Sequence, residues 1–370
     1  MKTISIIPGS RNLTLTEREE PVIHSPNEIK LRIFQVGICG TDREIVEGGR
    51  AESPAGQKEL VIGHEMFGQV VDIGKNVTSV KHGDYGVFTV RRGCNECNAC
   101  KNNRSDMCYS GNYTERGIKG VDGFQAEFVV DAEQYFIKVP EPLKDLGVLT
   151  EPMSVAAKAI DEAMRIQQAR IKDFDRNANW LRRKKALIAG IGPIGLMAAF
   201  ALRLRGAEVT GLDIVSEDSL RVRILNEIGG RYVDGTNLKV TDLDERCGEF
   251  DLVFEATGIA KLQVELIDTL STNGIYVATG IPAGRRPLEI DAGHVMEQLV
   301  LKNQIILGSV NASVEHYRNA VGYLEESHAR WPAAIGRIVT ARINYQDFTN
   351  TFDTHDRDDI KIVVEWVNSV

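Results

Sequence analysis

The chain has 370 residues, more than one ordinary domain needs, and its 43% hydrophobic and 26% charged content is that of a water-soluble protein with a sizeable core. A formal net charge of -8 and an isoelectric point near 5.5 argue against nucleic acid or an anionic membrane as the main partner. No stretch reaches the roughly 18 apolar residues of a membrane span, and the first eight residues lack the apolar core of a signal peptide, so a cytoplasmic protein is expected.

Short β-rich runs with frequent glycine fill the first 153 residues, at 29–36, 68–73, 85–90 and 124–130. Turn signals such as Gly74-Lys75-Asn76 and Gly83-Asp84 separate them, as in a barrel-like all-β unit. Two motifs punctuate this region, Gly37-Ile38-Cys39-Gly40-Thr41-Asp42 and Gly63-His64-Glu65, and Thr150-Glu151-Pro152 ends it. A thiolate, an imidazole and a carboxylate are the three ligand types of a catalytic zinc, which keeps a fourth position for water or substrate. Singly, each has a plainer reading: Cys39 a small buried hydrophobe, His64 a core histidine, Glu151 a surface carboxylate. Together they point to a metal centre.

Between these motifs Cys94, Cys97, Cys100 and Cys108 follow the spacing C-x2-C-x2-C-x7-C. That spacing lets one loop present four thiolates to a tetrahedral Zn2+. The intervening residues are too polar to pack as a core, so a metal has to hold the loop together. A disulfide-stapled loop is the alternative, but nothing marks a secreted protein, and Cys39 and Cys247 are the only other cysteines. Four thiolates leave no open position. The site is structural, and the chemistry lies elsewhere.

From residue 154 the rhythm becomes strand then helix, which implies a parallel sheet covered on both faces. Residues 186–189, 209–212, 252–255, 275–278 and 305–307 read as strands, and 194–204 as an apolar helix. The first strand runs into Gly190-Ile191-Gly192-Pro193-Ile194-Gly195, the G-x-G-x-x-G pattern in a strand-turn-helix setting. Gly190 permits the tight turn, Gly192 lets the backbone approach a pyrophosphate, and Gly195 allows close helix–strand packing. The second strand ends at Asp213, 23 residues beyond Gly190, where an acid accepts from both ribose hydroxyls and repels a 2'-phosphate. NAD is therefore preferred, with NADP possible; the plainer reading of Asp213 is a loop acid or helix cap. The tail, 338–370, returns to strand-like runs such as 360–366 and is expected to rejoin the first domain. The boundaries read as 1–153 with 310–370, including a cysteine lobe at about 93–109, and 154–309 for the dinucleotide domain.

With these motifs in place the chain resembles a zinc-dependent medium-chain dehydrogenase along nearly its whole length. Val90-Arg91-Arg92, Thr114-Glu115-Arg116-Gly117 and Gly308-Ser309-Val310-Asn311 are similar to segments of the microbial glucose dehydrogenase branch. The resemblance implies a GroES-like catalytic domain joined to a Rossmann domain, one catalytic and one structural zinc, and a homo-oligomer, dimer or tetramer. It implies oxidation of an aldose such as glucose at C1 to the lactone, with Glu115 and Asn311 holding sugar hydroxyls. Glu151 serves metal, substrate or both in turn, and Glu65 binds zinc in one state or supports His64. Thr41 takes the substrate proton. Thr257, Gly258, Thr279, Gly280, Ile281, Ser309, Val310 and Asn311 line the cofactor, and Lys361 reaches it from the tail. Glu115 can instead pair with Arg91 or Arg116, and Asn311 can cap a turn. Rival readings are the same machinery acting on another polyol or secondary alcohol, and a non-catalytic NAD-binding homologue. The remaining histidines, His24, His82, His294, His316, His328 and His355, have no motif behind them.

Overall fold

The computed structural model describes residues 1–171, 180–282, 284, 287–349 and 358–367, which form two compact units. The first comprises Met1–Ser154, Asn311–His328 and Gly336–Val370, and the second Val155–Val310 with Ala329–Ile335. The division falls inside one helix, Thr150–Arg170.

The first unit is built on a sheet whose strands run in the order Phe136–Lys138, Tyr85–Phe88, Glu65–Ile73, Glu28–Ile38, Lys361–Glu365 and Val339–Asn344, with Phe128–Ala132 also pairing to Glu28–Ile38. Glu28–Ile38 explains itself. Ile29, Leu31 and Ile33 alternate inward at the period of a half-buried strand and are fully buried. The register against Glu65–Ile73 then shifts between Ile33 and Gln35, a bulge after which Val36, Gly37 and Ile38 are all buried and paired edge to edge with the tail strand. The chain thus delivers Cys39 from the buried end of a central strand of the unit. The tail rejoins this sheet because Ile362, Val363 and Val364, which alternate between its two faces, are all buried there. One expected strand is shorter than its apolar run. Within 124–130 the ladder begins only at Phe128, because Phe124 and Gln125 donate their backbone amides to Gly63 and Ile62 in the loop after Leu60–Val61, and Glu127 donates to Lys2.

The second unit is a six-stranded, wholly parallel sheet. Its order is Arg231–Asp234, Glu208–Asp213, Lys185–Ala189, Phe250–Glu255, Leu270–Ala278 and Ile305–Gly308. The order reverses at Lys185–Ala189, the doubly wound arrangement in which ligands sit outside the carboxyl ends of the strands. Leu187, Ala189, Leu212, Val253 and Tyr276 form its core with Phe250 and Leu266. The helix Pro193–Leu204 follows the first strand and buries every residue from Gly195 to Leu202. The expected β-rich unit and the doubly wound parallel sheet are both present.

Candidate active site

Cys39 ends its strand and caps the helix Gly40–Val46: its Sγ accepts from the Thr41 amide at 3.2 Å, and its own amide donates to Asp42 Oδ2 at 3.0 Å. This reciprocal cap fixes the sulfur, which faces His64 Nε2 at 3.0 Å. On the other side of the imidazole Asp42 Oδ1 lies 3.4 Å from Nδ1, an ion-pair contact longer than a good hydrogen bond. Asp42 is completely buried. Burial works against a charged imidazole, but the Cys39 sulfur and the Asp42 carboxylate outweigh it and hold His64 well above its ordinary pKa. Burial likewise raises Asp42, and His64 with the Cys39 amide more than reverses that. Asp42 carried no role in the sequence reading, although it stands within the Cys39 motif. Only the folded cap shows that it orients the ring.

Glu65 lies in the same cluster, and one ligand atom from each of Cys39, His64 and Glu65 falls within 4.8 Å of the others. Lys361 is placed here too. Expected to reach the cofactor, its ammonium instead donates to both Glu65 oxygens, at 2.7 and 2.6 Å, and to Ile38 O at 3.3 Å. The reason is burial: a lysine that is 1% exposed must be matched by a charge, and Glu65 supplies it. Glu151 stands outside the three-residue set, though it is buried near His64 and Glu65. Burial lifts its carboxyl to about 7. The Thr41 hydroxyl makes no hydrogen bond among the described residues. Sulfur, nitrogen and oxygen donors converging on one buried point are a set that suits Zn2+.

The cysteine lobe passes the same test by different means. All six cysteines of the chain are free thiols, and the four of the lobe have sulfurs within 4.8 Å of one another. The Cys94 and Cys100 sulfurs are 3.9 Å apart, close to the edge of a tetrahedron with legs of about 2.3 Å. The Ser110 hydroxyl and the amides of Cys97 and Glu96 pull Cys94 down to about 6, toward the thiolate a metal requires.

Glu115 and Asn311 are brought together although 196 residues separate them: Asn311 Nδ2 donates to Glu115 Oε1 at 2.6 Å. Arg91 donates to the same oxygen through Nε and Nη2, at 3.1 and 2.8 Å, so the pairing with Arg91 that is the plainer reading of Glu115 is present, part-buried and not at the surface. Asn311 adopts a left-handed backbone (φ 64°), which asparagine tolerates, and its Oδ1 accepts from the Ala312 amide. The loop that carries Glu115 is seated beside the histidine motif. A Cβ on Gly117 would come within 2.4 Å of Gly63 O, and both glycines have positive φ.

In the second unit Gly190 has φ 87°, and a Cβ on Gly195 would strike Gly190 O at 1.8 Å, which is why the turn and the helix need glycine there. A Cβ on Gly192 meets nothing, leaving the backbone of the cap of Pro193–Leu204 open to a phosphate. Ile194 continues that first turn. Asp213 ends its strand with Oδ2 accepting from the Ile191 amide at 2.8 Å and Oδ1 from Ile214, so its charge is pinned beside the glycine loop. Arg221 and Arg223 lie on the next helix, Leu220–Glu227. Thr257, Gly258, Thr279 and Gly280 are organised by a residue absent from the expected set, the fully buried Glu255. Its Oε1 accepts from the Thr257 amide and hydroxyl and the Gly258 amide, and the Thr279 hydroxyl donates to its carbonyl. The two threonine hydroxyls therefore serve the loops themselves. Ser309 Oγ is buried without a partner in the described residues, and Val310 and Ile281 are exposed. His294 pairs with Asp268 at 3.2 Å on an exposed helix, and His355 lies outside the described residues.

With this geometry in view, comparison with known proteins is decisive for the family. The model described as "Glucose dehydrogenase C-terminus" matches residues 144–366, and "Alcohol dehydrogenase GroES-like domain" matches 25–141. The chain is 38% identical to glucose 1-dehydrogenase 2 of Vulcanisaeta moutnovskia over all of both chains. It is 35% identical to glucose 1-dehydrogenase of Thermoproteus tenax over 99% of each. It superposes on Haloferax mediterranei glucose dehydrogenase, solved in complex with NADP, Zn and gluconolactone, with a TM-score of 0.88 and 31% identity over 100% of both chains. The chain belongs to the glucose dehydrogenase family.

Proposed function

We propose that this protein oxidises an aldose, glucose first among candidates, at C1 to the lactone, passing hydride to a nicotinamide dinucleotide. The observation that carries this reading is the Glu115–Asn311 pair, set on a loop packed against Gly63, next to the Cys39–His64 ligands. A Zn2+ held by Cys39 and His64, with Glu65 or Glu151 at hand, supplies positive charge that stabilises the developing alkoxide.

The chain's own residues do the rest. Cys39 and His64 present donors from a rigid strand end, and Asp42 holds the imidazole so that Nε2 faces the sulfur. Thr41 offers a hydroxyl that accepts the substrate proton while passing its own toward solvent or a ribose hydroxyl of the cofactor, as the C1–H electron pair leaves with the hydride and the C–O single bond becomes the lactone carbonyl. Glu115 and Asn311 together accept from and donate to sugar hydroxyls, the kind of site that rejects analogues lacking them. The glycine loop takes the pyrophosphate, and Asp213 takes the adenosine ribose. Asp213 supports NAD over NADP, since a carboxylate pinned beside the loop repels a 2'-phosphate. NADP in the Haloferax mediterranei structure is the contrary example.

A homo-oligomer fits the free strand Ile305–Gly308 at the end of the second unit's sheet, with Ile306 exposed on it and Val300, Leu301 and Met296 exposed on the preceding helix. No helix of the described residues is long and apolar enough to cross a membrane, and a cytoplasmic site of action accords with free thiols throughout. The test is a panel of aldoses, polyols and secondary alcohols on zinc-loaded protein, with NAD and NADP side by side. Fastest turnover on a secondary alcohol or acyclic polyol overturns the sugar reading, and a preference for NADP overturns the role given to Asp213.

A further inference from the structure

Arg91 belongs to the Val90-Arg91-Arg92 segment, for which neither metal nor cofactor chemistry gives a use. It is 8% exposed, and its guanidinium is spread between two structures. Nη1 donates to Asp106 O at 2.8 Å, inside the cysteine lobe between Cys100 and Cys108. Nε and Nη2 both donate to Glu115 Oε1. The plane stacks over the Tyr113 ring at 4.1 Å from the centroid, and Arg91 and Glu115 are directly paired residues of adjoining strands. Asn311 Nδ2 adds a third donor to the same Oε1, while Oε2 accepts no hydrogen bond among the described residues. Three donors on one oxygen leave the carboxylate fixed in plane with its other oxygen available. The second N–H of Asn311 is also uncommitted, since its Oδ1 is fixed by Ala312. One carboxylate oxygen beside one amide N–H is a site for a hydroxyl that donates to the first and accepts from the second.

We propose that Arg91 is the positioning residue of the sugar site, fixing Glu115 for the substrate hydroxyl and tying it to the cysteine lobe. The lobe then sets sugar affinity without touching sugar, because the Asp106 carbonyl holds one end of the guanidinium fork. A lysine replaces it only in part, having a single point of charge in place of a planar fork. The inference rests on the reading of Glu115 as a sugar-binding residue.

The experiment is a double-mutant cycle on the zinc-loaded full chain with glucose: Arg91→Met, Arg91→Lys, Glu115→Gln and the Arg91→Met/Glu115→Gln pair. Melting temperature and zinc per chain are measured on each. Arg91→Met is expected to raise the KM for glucose roughly 10- to 100-fold, the range of a lost charge-assisted contact. The kcat and the KM for dinucleotide should stay within about threefold, as expected for an interaction equal in ground and transition states. Arg91→Lys should fall between, and the double variant should be no worse than Glu115→Gln alone. Additive losses overturn the proposal, as does zinc loss with an unchanged sugar KM, which would make Arg91 a support of the lobe only. Arg91→Lys carries the test where Arg91→Met does not fold. Should wild type oxidise no aldose, or Glu115→Gln leave sugar KM unchanged, the functional reading of Glu115 is what fails. A raised KM in Glu115→Gln with none in Arg91→Met refutes Arg91 alone.

Discussion

Two clusters of thiol ligands lie in the same unit and share little beyond sulfur. The lobe draws four cysteines from one continuous loop, with only a short helix Asn98–Lys101 and a turn of 3-10 helix between them, and three of the four are partly exposed. The other cluster draws Cys39, His64 and Glu65 from the ends of paired strands and surrounds them with buried charge: Asp42, Lys361 and Glu151. A site with one kind of ligand and no counter-charge closes on its ion and holds a loop. A site with mixed ligands, an oriented imidazole and a carboxyl raised to about 7 has been arranged for proton and charge movement. On the proposed function, the difference separates stability from catalysis.

That separation breaks first at the buried cluster. Cys39→Ser or His64→Ala should lower turnover on the order of 10³-fold, several kcal/mol of lost charge stabilisation, while dinucleotide binding measured by fluorescence titration survives. Retained turnover in protein shown to lack that metal would remove the distinction between the clusters. Asp42→Asn keeps the shape of the cap but weakens its hold on the imidazole, and should cost about 10- to 100-fold in kcat/KM or metal affinity. An unchanged kcat/KM together with unchanged zinc content would mean that the ring is oriented by packing alone.

The lobe should answer in the opposite sense. Cys94→Ser or Cys108→Ser is expected to lower the melting temperature by about 5–10 °C, with kcat per folded molecule within about threefold. Calorimetry paired with metal analysis checks this, and one zinc lost at an unchanged melting point would show that the lobe needs no metal.

The smallest effect sharpens the comparison by showing buried charge with a purely structural job. Asp131 is pressed between Arg92 and Arg116, at 2.6 and 2.5 Å. Burial raises its carboxyl, but the two guanidinium groups overcome that and hold it down at about 2. Its folded value lies below the ordinary value of about 3.9, so it contributes stability above pH about 4 and loses it as pH falls toward about 2, roughly 2–3 kcal/mol in all. Denaturant titrations at pH 6 and pH 3 in wild type and Asp131→Asn should show a smaller pH dependence in the variant. Equal slopes would place the acid sensitivity elsewhere.

How much of this was legible beforehand follows from the same contrast. Ligands close in sequence announce themselves by spacing, so the cysteine lobe and the glycine loop from Gly190 to Gly195 could be read directly. The strand-then-helix rhythm likewise gave the parallel sheet, because buried strands are apolar runs whatever their neighbours. Partnerships between distant residues could not be read. Lys361, expected to reach the cofactor from the tail, has its charge matched by Glu65, 296 residues away. Glu255 is an acid at the end of an apolar strand, a signal visible in the sequence, and it organises both threonine loops.

By itself the sequence determined the identities of the donors, the periodicities that make two units, and the glycines that a tight turn or a close approach requires. These are local properties, set by side-chain chemistry and by backbone sterics over a few residues. Only the tertiary structure decided which nitrogen of His64 faces Cys39, which oxygen of Glu115 is left for a ligand, and where the charge of Lys361 is spent. Those depend on strand register and on the demand that every buried charge find a partner, and a partner hundreds of residues away leaves no mark in local pattern.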